Sequence, residues 1–302
     1  MDRRAFVDRC GMVLGTMLIA TEAGGWSPQR DTHTGPASAA PPRTGTSDTT
    51  RRLSTIGLEL YSVRVAMQRD PERTLAAVRK IGYTDVELLW SFGNFGRTPA
   101  QVRQSLANEG LRATSAHVSP TTILVGWERT LDIARLLGHQ TMIVPSFSAD
   151  LGLTLDDWKE WAERFNRAGE VARRAGIWLA FHNEPEHQRT LDGQVPLDVF
   201  VAATDPQFVR LQLDVGNMVM GGADPLDFLT KHGQRCWSFH IKDVVADRSR
   251  DTELGKGTVD LRRILAAVPD LEQRTVFVEQ EGASDPLASA KVDFDYLKAM
   301  EL

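Results

Sequence analysis

The sequence holds two cysteines in 302 residues, Cys10 and Cys236. So sparse a set excludes a disulfide framework and leaves the compartment undecided. No apolar run reaches the roughly 18 residues needed to span a bilayer as a helix. No basic run stands out, and the formal net charge is -5, so nucleic acid is not an expected partner. The first strand candidate runs into LELYSVR and lacks the Gly-rich phosphate turn that opens most doubly wound nucleotide-binding sheets. The remaining composition, 42% hydrophobic and 25% charged, is that of a globular protein of one large or two average domains.

What is present begins at the N-terminus. Arg3 and Arg4 precede Phe6, a short apolar region follows over 12–20, and small residues over 20–25 offer a cleavage site. This is the layout of a secretory signal, and the paired arginines resemble a twin-arginine export signal, although Asp2 and Asp8 depart from that pattern. The alternative is an ordinary N-terminal helix. The expectation is a signal peptide over 1–25 and a periplasmic protein. Residues 26–52 are rich in Pro, Ser, Thr and Gly, too poor in large apolar groups to offset their ordering entropy, and are expected to be a disordered linker. Residues 1–52 carry seven arginines and five acids, so residues 53–302 keep 28 basic and 35 acidic residues, a net charge of -7.

From residue 55 onward the chain alternates short β-forming apolar runs with longer amphipathic segments. The spacing predicts strands over 56–60, 85–89, 113–117, 141–145, 178–182, 210–214, 237–241 and 275–279. Helices are predicted over 70–81, 99–109, 122–137, 155–175, 196–203, 225–232, 260–267 and 286–300. Asp70-Pro71, Thr98-Pro99, Asp224-Pro225 and Asp285-Pro286 each set a capping residue before a proline at the first helical position. Gly82, Gly110, Gly138 and Gly176 follow helix ends, where a left-handed cap is wanted. Eight strand-helix units over about 250 residues predict an α/β fold, a closed (β/α)8 barrel. An open doubly wound sheet is the rival.

In such barrels the active site lies at the C-terminal ends of the strands. Strand one ends near Glu59 and Tyr61, strand two carries Glu87 and then Trp90, and strand three ends at His117. Strand five ends at His182, followed by Asn183 and Glu184. Strand six ends at Asp214 in LDVGN, strand seven reads FHIKD with His240 and Lys242, and strand eight ends at Glu279 in FVEQE. A lone strand-end His is more often a hydrogen-bonded core residue, and a lone Asp before Val-Gly-Asn a turn former. Four such ends on successive strands share an axial point. His182, Asp214, His240 and Glu279 therefore stand as candidate ligands of a divalent ion. Two imidazoles and two carboxylates suit Mn2+ first, with Co2+, Zn2+ or Fe2+ as alternatives. Mg2+ and Ca2+ prefer all-oxygen shells. Glu186 and His187 follow Pro185 and are read as a solvated loop. GKGTVD at 255–260 is read as a Gly-rich turn capping a helix rather than a phosphate loop.

The pieces IGLELYSVR, GIWLAFHN, LQLDVGN, FHIKD, ELGKGTVDLRRIL and FVEQEGASDPLASAKVDFDYL resemble the xylose-isomerase-like TIM-barrel superfamily of sugar-phosphate isomerases and epimerases. The resemblance spans the chain from about residue 55 to its end. It implies that the ends of strands five to eight, His182, Asp214, His240 and Glu279, hold the metal. Ketose epimerases of this kind usually carry a glutamate at the strand-five position, paired with the strand-eight glutamate. His182 stands there instead, which puts a two-glutamate epimerisation in doubt and leaves Glu184 as a substitute base.

An ion that chelates a carbonyl oxygen and a neighbouring hydroxyl acidifies the C–H between them, and a carboxylate or imidazole removes the proton to give an enediolate. The leading expectation is a metal-dependent sugar isomerase or epimerase. Glu279, Glu184, Glu87, His117 and Lys242 are its candidate catalytic groups; Lys242 would polarise a substrate oxygen, and Trp90 and Tyr61 could form a wall for a sugar face. The alternatives are a lyase or hydrolase of 3-keto-glycosides working by β-elimination, and a non-catalytic exported sugar-binding barrel.

Overall fold

The computed structural model describes residues 52–147 and 153–302. The expected signal segment, and the linker apart from Arg52, lie outside the described residues. Eight parallel strands close on themselves: Gly57–Glu59, Asp85–Leu89, Arg112–His117, Thr141–Val144, Trp178–His182, Val209–Asp214, Cys236–Ile241 and Thr275–Val278. Closure is made where the first strand pairs with both the second and the eighth, Gly57 facing Asp85 on one side and Phe277 on the other. A Cβ at residue 57 would stand 2.3 Å from the Phe277 ring, so glycine is what lets that ring fill the barrel. The protein is the (β/α)8 barrel that the alternation predicts, and the open-sheet rival is excluded.

The caps are where the sequence sets them. Asp70 accepts the Arg73 N–H at 3.0 Å, Thr98 and Gln101 cap each other reciprocally, Asp224 accepts from Leu226 N–H, and Asp285 from Ala288 N–H. Some boundaries move. The helix expected over 122–137 starts at Trp127, because Gly126 takes a left-handed φ of 72° and breaks the run behind a 3-10 turn at Pro120–Ile123. The eighth strand stops at Val278 and places Glu279 one residue beyond it. Short helices at Arg64–Arg69 and Val215–Met220, and an antiparallel ribbon of Asp243–Val244 with Asp251–Thr252, carry no strong pattern in the sequence.

Strand alternation is fixed by what lies outside the barrel. Phe181 packs 4.4 Å from Phe200 and 5.1 Å from Phe147, within a cluster that includes Trp158, Trp161 and Phe165 of the Leu155–Arg174 helix. Each such ring contributes about 1.5–3 kcal/mol on burial. With Phe181 anchored outward, the pleat turns its neighbour His182 to the barrel axis. Phe239, fully buried on the seventh strand, does the same for His240.

His187 corrects the solvated-loop expectation. It is 2% exposed, stacks on Phe181 at 5.4 Å and meets Trp158 edge-on at 5.0 Å, and its Nδ1 accepts the Glu184 N–H. Its neighbour Glu186 is half-buried. The 255–260 loop also has a sharper role than a helix cap. The N–H groups of Gly255, Gly257 and Val259 donate to the Asp243 carboxylate at 2.9–3.0 Å, so the loop's anion is the chain's own. A Cβ at residue 257 would stand 2.1 Å from Asp243 Oδ1.

Candidate metal centre

Each donor at the C-terminal mouth is aimed by a local device. Asp214 caps the Val215–Met220 helix: its Oδ1 accepts the Asn217 N–H at 2.7 Å, which leaves Oδ2 facing the axis. Asn183 exchanges two hydrogen bonds with the Asp214 backbone, at 2.9 and 3.0 Å, and ties the end of the fifth strand to the end of the sixth. His182 Nδ1–H donates to the Pro145 carbonyl at 3.1 Å. Burial pushes His182 below its ordinary value, against the pull of Asp214, so the ring is neutral and Nε2 carries a lone pair.

That Nε2 lies 3.5 Å from Asp214 Oδ2; it is buried with no hydrogen-bond partner among the described residues, while Asp214 Oδ2 is met by the Lys242 ammonium. Unpartnered buried polar atoms are rare in folded proteins. His240 completes the approach, with Nδ1 2.8 Å from Glu279 Oε2 and 3.9 Å from Asp214 Oδ2. One donor atom from each of His182, Asp214, His240 and Glu279 falls within 4.8 Å of the others. A neutral imidazole, a second imidazole and two carboxylates at this spacing fit a divalent transition ion. His240 Nε2 is held by Glu87 at 2.7 Å, the carboxylate–histidine arrangement that orients a ligating ring. Burial lowers the His240 pKa, but Glu279 and Glu87 outweigh it and push it up to about 10, so an ion at Nδ1 must displace a proton.

Lys242 is fully buried beside this set. Its ammonium stands 3.0 Å from Asp214 Oδ2, 3.2 Å from Glu279 Oε2 and 2.7 Å from Glu281 Oε1, and it donates to Asn217 Oδ1 at 3.1 Å. Burial disfavours its charge, but Asp214, Glu279 and Glu281 raise its pKa well above the usual lysine value. Its aliphatic stem crosses Gly216, where a Cβ would come within 2.7 Å. Glu184 is half-buried, accepts from Asn217 Nδ2 at 3.0 Å, and is pushed up to about 9, first by burial. It therefore holds a proton at neutral pH.

Glu87 and His117 lie one layer deeper. Glu87 accepts from Ser115, from Gln212 at 3.0 Å and from both histidines, while His117 Nε2 also meets Gln212 Oε1 at 2.8 Å. Glu59, Glu87, His117 and His240 form a second close group, but the Glu87 oxygens are already engaged. Glu59 shares that layer; burial and then the charge of Glu87 raise its pKa well above the usual carboxylate value. Trp90 and Tyr61 are half-buried: Trp90 donates to His139 at 3.3 Å, and Arg64 stacks on Tyr61. Asn217 and Glu281 complete the site without having been singled out as site residues. The only signal for them was membership of LDVGN and of the second acid in FVEQE.

Residues 75–300 match the family described as xylose isomerase-like TIM barrel. Among curated proteins the chain is similar to an inosose dehydratase of Salmonella agona, 28% identical over 148 residues that make up 43% of this chain and 48% of that protein. An inosose dehydratase of Clostridium perfringens is 28% identical over 179 residues, 52% of this chain and 59% of its own. The chain thus spans about half the length of these curated relatives. Among solved structures it is similar to a sugar phosphate isomerase/epimerase from Parabacteroides distasonis, with 26% identity, 85% of this chain and 98% of that chain covered, and a TM-score of 0.71.

Proposed function

The chain belongs to the xylose isomerase-like TIM barrel family, and on that premise we propose that it is a divalent-metal-dependent sugar isomerase or epimerase that removes a proton alpha to a carbonyl. One observation carries the reading: His182 Nε2, buried with no hydrogen-bond partner among the described residues, faces Asp214 Oδ2 within a four-donor set beside a buried lysine. His182, Asp214, His240 and Glu279 would hold the ion, Mn2+ by preference. When bound, it supplies Lewis acidity toward a carbonyl oxygen and the neighbouring hydroxyl.

The side chains divide the remaining work. Lys242, its charge fixed by three carboxylates, polarises a substrate oxygen. Burial favours the neutral form of Glu279, but Lys242 and His240 outweigh it and hold its pKa well below the usual range, so it accepts a proton rather than supplies one. Glu184 carries a proton at neutral pH and donates it. Glu87 and His117 hold His240 and the layer beneath it. The substrate is a small sugar. Support for isomerase or epimerase chemistry comes from the solved relative that covers nearly its whole length.

A second reading, β-elimination, is favoured by the proton on Glu184, which suits a departing hydroxyl or aglycone, and by His182 standing where an epimerase pair would need a second glutamate. The substrate would then be a ketone such as a 3-keto-glycoside. Export to the periplasm belongs to the same proposal and is supported by Arg3, Arg4 and the short apolar region behind them.

The test is incubation of the full chain with Mn2+ and a panel of sugars, cyclitol ketones and 3-keto-glycosides in deuterated water, read by mass spectrometry. Deuterium in recovered sugar or its isomer supports the first reading. Loss of water or aglycone without it supports the second. Neither, in protein that holds bound Mn2+, overturns both. Asp214→Ala should lower bound metal from about one equivalent to near zero.

A further inference from the structure

The chain leaves the seventh strand at Lys242 and comes back to it by another route. Asp243–Val244 pairs with Asp251–Thr252, and Val244 faces Asp251 across the ribbon. Asp251 is buried, and its carboxylate is turned to the segment just past the eighth strand. Its Oδ2 accepts the Glu281 N–H at 2.6 Å and its Oδ1 accepts the Gly282 N–H at 3.3 Å. The Glu281 carbonyl in turn accepts from Arg64 Nη2 at 3.3 Å. With its main chain held on both sides, Glu281 places Oε1 2.7 Å from the Lys242 ammonium. The loop that starts at Lys242 therefore supplies the carboxylate that holds the partner of Lys242.

That partner needs holding. The Glu281 side chain is 41% exposed. An exposed ion pair on a free loop contributes little, because two long side chains must be ordered to make it. Anchoring two consecutive N–H groups removes the backbone share of that cost. An ammonium has three N–H groups to give. The directed hydrogen bonds of Lys242 among the described residues go to Glu281 Oε1 and to Asn217 Oδ1, the latter at 3.1 Å. The metal-donor oxygens Asp214 Oδ2 and Glu279 Oε2 lie at 3.0 and 3.2 Å from the same nitrogen as ion pairs. Without Glu281 the ammonium would turn its N–H groups onto those two oxygens, whose lone pairs a metal ion needs. Glu281 keeps the ammonium beside the donors rather than on them.

We propose that Asp251 is a positioning residue of the metal centre: it sets Glu281, and through Glu281 the ammonium of Lys242, so that the oxygens of Asp214 and Glu279 stay free for the ion. This rests on His182, Asp214, His240 and Glu279 holding a divalent ion, and it concerns the affinity for that ion, whatever reaction follows.

The test is calorimetric titration of the metal-stripped full chain with Mn2+, with no substrate present. Glu281→Gln and Asp251→Asn should each weaken Mn2+ binding about tenfold, the loss usual for an outer partner of a metal site. The double variant should lose no more than Glu281→Gln alone, because Asp251 acts through Glu281. Glu253→Gln, which removes a neighbouring charge without touching Glu281, should bind as wild type does. Should Asp251→Asn fail to fold, Gly282→Ala is the charge-neutral substitute: its methyl group would press on Asp251 Oδ1 at 3.2 Å, and a several-fold loss is expected. Wild-type affinity in the Asp251 and Gly282 variants overturns the proposal. So does a double variant weakened about a hundredfold, since the two carboxylates would then act as independent charges, and so does an equal loss in Glu253→Gln. If the wild-type chain itself takes up no Mn2+, it is the metal reading that fails, and the positioning role falls with it.

Discussion

The same strands build both ends of the barrel, and the two ends solve opposite electrostatic problems. Trp178 and His182 stand on the fifth strand, Arg210 and Asp214 on the sixth, Trp237 and His240 on the seventh; Arg274 and Glu279 flank the eighth. Four residues along a strand cover about 13 Å. At the C-terminal mouth, buried carboxylates outnumber the cations, and each charge has an opposite partner within about hydrogen-bonding reach. At the N-terminal mouth the cations outnumber the acids, and aromatic faces take the place of counter-ions. A buried charge must be paired or shielded. One mouth is paired so that its groups are held at fixed positions and protonation states; the other is shielded, with donor edges to spare.

The contrast is broken most severely at Gly216. A methyl group there would meet the Lys242 stem at 2.7 Å and shift its ammonium away from Asp214 and Glu279. Gly216→Ala should leave bound metal near its wild-type level and lower kcat about 100-fold, the usual consequence of an ångström-scale displacement of a reacting group. Metal analysis and steady-state kinetics on one preparation separate the two effects. If metal and kcat fall together, Lys242 is needed to build the centre rather than to act in it.

How much of this was legible beforehand follows from range. The barrel came from periodicity and from proline-marked helix starts, because caps and alternation are local. The donors His182, Asp214, His240 and Glu279 were legible as a set because the fold puts every strand end on one axis. His187 was misread: Pro185 signals a turn, but nothing local says that an aromatic cluster from the Leu155–Arg174 helix will cover the ring that follows. The Asp243 nest could not be read either, since it joins a carboxylate to amides twelve to sixteen residues on. The Arg-Trp stack of Arg173, Trp178, Arg210, Trp237 and Arg274 joins residues about a hundred positions apart, and no one segment shows a motif.

The shielded mouth is probed at Trp237, whose ring lies between Arg210 and Arg274. Trp237→Leu keeps an apolar side chain but removes two cation–π contacts and lets two like charges, Arg210 and Arg274, face one another. The expected loss is about 1–3 kcal/mol of unfolding free energy by urea denaturation, with kcat unchanged because the metal donors are not touched. A loss of kcat at full stability would mean that the two mouths are coupled.

The smallest effect concerns a histidine that belongs to neither mouth. His139 is 4% exposed; its Nδ1 donates to the Ala113 carbonyl at 2.7 Å, so its Nε2 accepts from Trp90 Nε1 at 3.3 Å. Burial pushes its pKa down to about 4, although the Ala113 carbonyl and Glu87 pull the other way. The unfolded chain, at the ordinary 6.5, takes up the proton first as pH falls. The contribution to stability is therefore complete above pH about 6.5 and is lost progressively toward pH about 4. Between pH 7.5 and 5.5 that loss is about 1.4 kcal/mol for this one group. His182 and His187 are lowered by burial too and add to the acid sensitivity with the same sign. His139→Gln isolates one share: the drop in unfolding free energy over that interval should shrink by about 1.4 kcal/mol relative to wild type. An undiminished drop would mean that His139 takes up its proton over the same pH range in the folded and the unfolded chain, and that the Trp90 N–H does not hold it neutral.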